Sequence, residues 1–363
     1  MKSILLASTA SLAFAGAAFA DGHESADGIT FSGDFELGYN DDVDNGFYWS
    51  GGIDIAGQTT LDNGLVAAFS VGGDIVNGTD GVRDSIDVML DGYEFSLTSD
   101  MGGIFVGDTD PAAEANWGGV DGSAADGFND ADVHLDSAAD GGVDFDAILR
   151  GEVMYGPVFA ALSYGVEIDG VNAATTEDLD AMQLYVSGEF GAVTVGLAYQ
   201  DAFAGAGEIL GIEASASLGG ADVTVAYADN TVDTSIGAAV SYPVGPVTLG
   251  AYYTSNDVAA DAYGFSADYE NGPISVSFFY DDTDAANTDD YGLEGSYDVG
   301  NGLTVLAGIV DKGDAYYVAG EYDLGGGAEL LVSFAEDDNN PGNDEIGDPE
   351  YKDGTTVQVS FEF

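Results

Sequence analysis

Residues 29–39 read ITFSGDFELGY, and the alternation within them decides the fold. Successive side chains of an extended chain point to opposite faces. Ile29, Phe31, Phe35, Leu37 and Tyr39 therefore share one face, while Thr30, Ser32, Asp34 and Glu36 share the other. This is a strand with an apolar side and a wet side. The pattern recurs to the last residue. Val193, Val195, Leu197 and Tyr199 alternate with Thr194, Gly196, Ala198 and Gln200, and Ile274, Val276, Phe278 and Tyr280 with Ser275, Ser277, Phe279 and Asp281. Further strands of this kind are expected over 147–155, 158–166, 182–190, 210–218, 236–242, 247–255, 263–269, 291–297, 303–310, 316–322, 328–334 and 355–363.

The connections alternate as well. One set is short and built from residues that accept tight or positive-φ geometry, such as Asp62-Asn63-Gly64, Gly156-Pro157, Gly219-Gly220 and Asn301-Gly302. The other set is longer and acidic, as at 281–290 and 336–353. Short turns at one end and long loops at the other describe an all-β, antiparallel, up-and-down transmembrane barrel. Residues 83–99 read as one bulged strand, because Ile86, Val88 and Leu90 are out of phase with Tyr93, Phe95 and Leu97. With that choice about 20 strands are expected, five before residue 108 and fifteen after it. The strand ending at Phe363 should pair with the one holding Phe31, since an open edge is not tolerated in hydrocarbon.

Cost assigns the two faces. A basic side chain facing lipid at the midplane costs roughly 2–4 kcal/mol and an acidic one less. In the strands above the apolar alternate carries no charge, and Glu36, Arg150, Glu152, Glu189, Glu213, Glu294, Glu321 and Glu362 all fall on the other face. That face is the lumen. A soluble sandwich would need a second sheet to cover its apolar side. Tyr39, Tyr155, Tyr199, Tyr242, Tyr269, Tyr297 and Tyr322, near strand ends, suit aromatic girdles at the two interfaces.

The first 20 residues have another character. Lys2 precedes an apolar, small-residue run that ends in Ala18-Phe19-Ala20 before Asp21, the layout of a secretory signal cleaved after Ala20. The barrel is then expected over 21–363. No later stretch is long and apolar enough for a spanning helix. The chain has no Cys, which excludes disulfides and thiol chemistry, and its net charge is −61. Such a balance leaves nothing to neutralise phosphates and argues against nucleic acid. At 45% hydrophobic residues the chain is not a disordered polyanion.

Residues 108–142 form the candidate constriction loop. They carry Asp108, Asp110, Glu114, Asp121, Asp126, Asp130, Asp132, Asp136 and Asp140 without a single Lys or Arg. Trp117, Phe128 and Leu135 give the loop something to pack with, which favours an inward fold over an extracellular flap. Arg150, on the lumen face beside Glu152, either offers a cationic wall to the pore or pairs with a loop carboxylate and holds the loop in place. Arg83 lies in an expected loop. Asp130, Asp132 and Asp136 are oxygen ligands of the kind Ca²⁺ takes, and Asp281-Asp282 with Asp284 are similar, though neither run has the full spacing of an EF-hand. No cofactor is required by any motif. His23 and His134 are isolated, so neither a zinc site nor a hydrolase is expected, and the chain reads as a non-enzyme.

Three stretches carry a family likeness: ITFSGDFELGYN from Ile29, GGIFVGD at 102–108 leading into the long loop, and TTVQVSFEF at the end. In these the chain resembles the general porins of Gram-negative bacteria, in particular those of photosynthetic and marine alphaproteobacteria. The resemblance implies residence in the outer membrane, a third long loop that folds inward and narrows the barrel, assembly as a homotrimer, and a terminal aromatic read during barrel insertion. It also implies a pore for ions and small hydrophilic solutes. The expected strand count exceeds the roughly 16 usual for such porins. Basic residues after position 20 are only Arg83, Arg150, Lys312 and Lys352, against the arginine cluster of a typical eyelet. A lumen so acidic is expected to select cations. The alternative is a plugged outer-membrane barrel that binds or adheres through its acidic loops.

Overall fold

The computed structural model describes residues 28–42, 46–78, 92–128, 147–166, 179–202, 207–285, 288–343 and 345–363. Twenty strands run through them in chain order. The first five are β1 (Gly28–Asn40), β2 (Phe47–Thr60), β3 (Val66–Gly78), β4 (Gly92–Ser99) and β5 (Gly102–Gly107). After the long loop come β6 (Ala147–Tyr155), β7 (Val158–Val166), β8 (Leu179–Phe190), β9 (Val193–Gln200), β10 (Ile209–Leu218), β11 (Ala221–Asp229), β12 (Thr234–Val244) and β13 (Val247–Asn256). The last are β14 (Ala262–Asn271), β15 (Ile274–Thr283), β16 (Asp290–Gly300), β17 (Leu303–Val310), β18 (Ala315–Gly325), β19 (Ala328–Asp337) and β20 (Gly354–Glu362). The expected division, five strands before residue 108 and fifteen after it, is the observed one. Of the bulged strand expected over 83–99 the structure describes Gly92–Ser99; the remainder, with Arg83, lies outside the described residues.

Each strand pairs antiparallel with the next, and β20 pairs with β1, so one sheet closes on itself. Closure is built from side chains as well as ladder bonds. Phe363 and Gly33 exchange both backbone bonds at 3.1 Å, and the Phe363 ring stacks on Phe35 with centroids 6.2 Å apart. On the lumen side the Tyr48 ring crosses Gly38 and donates its hydroxyl to Gln358 Oε1 at 2.6 Å, which ties β2, β1 and β20 together. A Cβ on Gly38 would stand 2.1 Å from that ring, so glycine is what lets the tyrosine through. At the short-turn end Asn301 and Gly302 have φ of 58° and 85°, the double positive φ that a tight hairpin matching strand twist demands.

The outer face is apolar and open. Phe31 is 63% exposed, Leu37 57% and Val318 51%, in a molecule whose described strands bury no second sheet against them. Lipid covers such a surface without loss, and a charge there is costly. Val225 sits midway along β11 on this face. Val225→Lys should lower unfolding stability in phospholipid vesicles by roughly 2–4 kcal/mol, and Thr224→Lys, one residue earlier and facing the lumen, by far less. Denaturant titration of both variants checks the facing of the whole sheet.

Several strands run further than the alternation indicates, and they end on outward-facing carboxylates at the long-loop rim. Tyr227 donates to Asp229, Tyr253 to Asp261, Tyr263 and Tyr280 to Asp282, and Tyr316 to Glu336. The outward face is therefore free of charge only between the girdles. At the rim, where water reaches, tyrosine and carboxylate come as pairs. Tyr155, Tyr242, Tyr297 and Tyr322 project outward at the opposite, short-turn end.

Candidate functional site

The barrel has no conventional core. Among the described residues, two buried apolar clusters lie inside the lumen, where loops press against the wall. The first cluster joins Ala113 and Phe128 of the β5–β6 loop to Tyr185, Ala198 and Ile209 of the wall, with Trp117 and Phe159 packed against it. The Trp117 and Phe128 rings meet edge to face at 5.4 Å. The inward fold of the loop expected from these aromatics is what the structure describes for residues 108–128. Leu135, His134, Asp130, Asp132, Asp136 and Asp140 lie outside the described residues, and with them the Ca²⁺ expectation; among the described residues no group of three metal-ligating side chains comes together.

A peptide segment laid on a wall must place its own N–H and C=O groups. Here polar lumen side chains take them in order around the barrel. Ala112 N–H donates to Ser163 Oγ at 2.7 Å, and Ala113 and Glu114 N–H to Gln183 Oε1 at 2.9 and 3.1 Å. Gly118 and Gly119 N–H donate to Glu213 Oε2 at 3.2 and 3.0 Å, while Tyr185 donates to the other oxygen of that carboxylate at 2.9 Å. Further on, Thr254 Oγ1 donates to the Asp121 carbonyl at 2.7 Å, Asn256 Nδ2 to the Gly122 carbonyl at 3.0 Å, and Ala124 N–H to Ser235 Oγ at 3.1 Å. The loop is thus moored from β7 to β13. None of these anchors stood out in the sequence, since a Ser, Gln or Thr on the wet face of a strand looks the same whether it meets water or a loop.

Arg150 serves the mooring; whether it also meets Asp130, Asp132, Asp136 or Asp140 lies outside the described residues. Its guanidinium donates to the backbone carbonyl of Asp110. Its ion pair is with Glu152 on its own strand at 3.0 Å, and it lies over the Phe105 ring at 4.9 Å. So engaged, it does not present a bare positive wall. Of the described loop carboxylates, Asp108, Asp110, Glu114 and Asp121 are exposed, while Asp126 accepts the Trp117 indole N–H at 3.1 Å. Asp121 has its pKa raised, first because the surrounding protein thins the water about it and then because Asp281 and Asp126 are near.

The second cluster was not foreseen. The stretch 336–353, read as a long acidic loop, also sends residues inward: Ile346 and Tyr351 are buried against Leu306, Ala315, Tyr317, Ala319 and Ala335 of the wall. The Tyr317 and Tyr351 rings lie 4.6 Å apart, Tyr351 donates to Glu321 at 3.1 Å, and Asp348 N–H donates to Glu294 at 2.9 Å. Glu294 and Glu321, like Glu213, are therefore loop anchors as well as lumen charges. The signal that could have revealed this loop is two isolated apolar residues, Ile346 and Tyr351, inside an otherwise acidic stretch.

The loops at the far end of the mooring have their own lock. Asp233 accepts N–H bonds from Ala259 at 2.7 Å, Val258 at 2.9 Å and Thr234 at 2.8 Å. These bonds, Ala259 foremost, hold its carboxyl below the ordinary carboxylate range. A depressed pKa contributes stability that is present above the unfolded value near 3.9 and lost as pH falls through the folded one. Asp233→Asn should therefore melt below the wild type at pH 7, with the gap closing as the pH is taken below about 4. Paired melting curves across that range test the lock.

The sequence matches the family model described as Gram-negative porin over residues 7–342. A porin of Rhodobacter capsulatus is 33% identical over 155 residues, 40% of this chain and 50% of that protein, so the match spans about half the length of that curated relative. Among solved structures, one mutant form of the Rh. blastica porin aligns at 18% identity with a TM-score of 0.42, covering 93% of this chain and 100% of that chain. A second mutant form of the same porin aligns at 16% identity and the same TM-score.

Proposed function

The chain belongs to the Gram-negative porin family, and from that premise we propose that it forms a water-filled, cation-selective channel in the outer membrane for passive diffusion of ions and small hydrophilic solutes. The observation that carries this reading is a closed barrel, apolar outside, whose lumen holds a moored loop with Asp108, Asp110, Glu114 and Asp121 exposed. These, with Asp126 and the Arg150–Glu152 pair, make the constriction. Asp130, Asp132, Asp136 and Asp140 extend its charge by sequence. Export by a signal cleaved after Ala20 and assembly as a homotrimer belong to the same proposal, supported by the layout of residues 1–20 and by family membership.

A barrel that binds rather than conducts is the second reading, and the inward fold of 338–353 favours it. Single-channel recording in a planar bilayer separates the two. Stepwise ohmic current in KCl supports the channel; a correctly inserted barrel that passes no current would overturn it.

A further inference from the structure

We propose that the space between the β19–β20 loop and the lumen wall is a binding site for a small zwitterion with excess positive charge, of the basic amino-acid type. The proposal deepens the channel reading and rests on it, since the solute reaches the site through the lumen. The cavity holds about 310 Å³. It is bounded by β1, β2, β19 and β20 and by the loop, and its chemistry comes from Glu36, Ser333, Glu345, Glu350, Tyr351 and Lys352.

Ser333 is the first indication of a ligand. The residue is 3% exposed, it lines the cavity, and its Oγ has no hydrogen-bond partner among the described residues. Its neighbour across the ladder, Thr356, is by contrast engaged by Asn40 at 2.9 Å. A buried hydroxyl left unmatched is a cost that folds normally remove. A solute group in the cavity would match it.

Lys352 is the second. Its ammonium lies 5.1 Å from the centre of the Tyr48 ring, and that ring is itself fixed by Gln358. Lys352 makes no ion pair with a described carboxylate, unlike Arg150 and Lys312. It is therefore a positioned cation with capacity for a carboxylate. Glu36, Glu345 and Glu350 around it leave the lining net negative.

One solute class answers all of this. A neutral sugar leaves the charges unmatched, and a dicarboxylate meets three like charges. An α-carboxylate seated on Lys352, with an α-ammonium and a second cationic group facing the glutamates, matches each sign. The seat is also formed in advance, since Ile346 and Tyr351 fix the loop through paired backbone bonds of 3.0 Å and burial in the wall.

The test uses the intact channel in a planar bilayer with L-arginine as the probe. L-arginine should interrupt the KCl current transiently, and agmatine, which lacks the carboxylate, should do so at roughly ten-fold higher concentration. Lys352→Met discriminates by sign. Loss of a positive charge would strengthen any nonspecific attraction of arginine to an acidic lumen, whereas loss of the carboxylate seat should weaken the block by roughly ten-fold. Ser333→Ala should weaken it too without lowering thermal stability, because an unmatched buried hydroxyl is removed and no described bond is lost. Equal block by arginine and agmatine, or a stronger block in Lys352→Met, would overturn the proposal. Calorimetric titration of arginine into the detergent-solubilised barrel decides the site separately, so a barrel that fails to conduct sinks the channel reading without leaving the site undecided.

Discussion

Across a KCl gradient at neutral pH and low salt, the reversal potential should approach the K⁺ side, with K⁺ favoured over Cl⁻ by about ten-fold or more. The magnitude follows from charge at close quarters. One carboxylate about 4 Å from an ion acts with about 1 kcal/mol even in bulk water, and the moored loop alone exposes four of them. Glu213, Glu294 and Glu321 line the same lumen and hold the loops. Among the described cations, Arg150 is paired with Glu152 and Lys312 with Asp289 at 3.5 Å, so Lys352 is what remains to oppose them in the lumen. Screening should erode the preference, because the Debye length shrinks from about 10 Å at 0.1 M to about 3 Å at 1 M salt.

Acid should erode it as well, and from an unusual starting point. Most carboxylates lose charge near pH 4. Asp121, raised by its surroundings and by Asp281 and Asp126, takes up its proton at a higher pH than an ordinary carboxylate. Selectivity should therefore begin to fall before the bulk of the lining titrates, and Asp121→Asn should remove that early phase. A zero or anion-side reversal potential at low salt and neutral pH would show that these carboxylates do not control the path.

How much of this could be read from residue order depends on which solvent judged each position. Lipid is a strict judge. It tolerates no charge at Phe31, Leu37 or Val195, so period-two alternation places such strands and their facing without a structure. The lumen is a lenient one. Ser163, Gln183 and Thr254 would sit as well in water as against a loop, and nothing local distinguishes them. Trp117 and Phe128 were informative because large apolar groups in an acidic loop must find cover. The same argument applied to Ile346 and Tyr351 would have found the second inward loop. Arg150 lies on the lumen wall, and the Asp110 carbonyl it meets is an acceptor that no sequence pattern marks.

Removing residues 112–126 should roughly double the single-channel conductance, because of how the two loops divide the lumen. Twenty strands spaced about 4.8 Å apart and tilted about 40° close at a backbone diameter of roughly 40 Å, and lining side chains reduce the clear width to roughly 30 Å. The first loop is moored from β7 to β13 and the second rests on β16 and β18, on opposed arcs of wall. A layer of chain about 10 Å thick on each leaves a slot of about 10 Å, and removing one layer widens it to about 20 Å. Glu213→Leu is the milder test. It takes the acceptor from the Gly118 and Gly119 N–H groups while Ser163, Gln183 and Thr254 still hold the loop. Its current should therefore become noisier with the mean little changed, as a slackened loop moves in and out of the path. If the deletion variant inserts correctly and conducts as the wild type does, the narrow section lies elsewhere, and shortening 338–353 should then produce the increase instead.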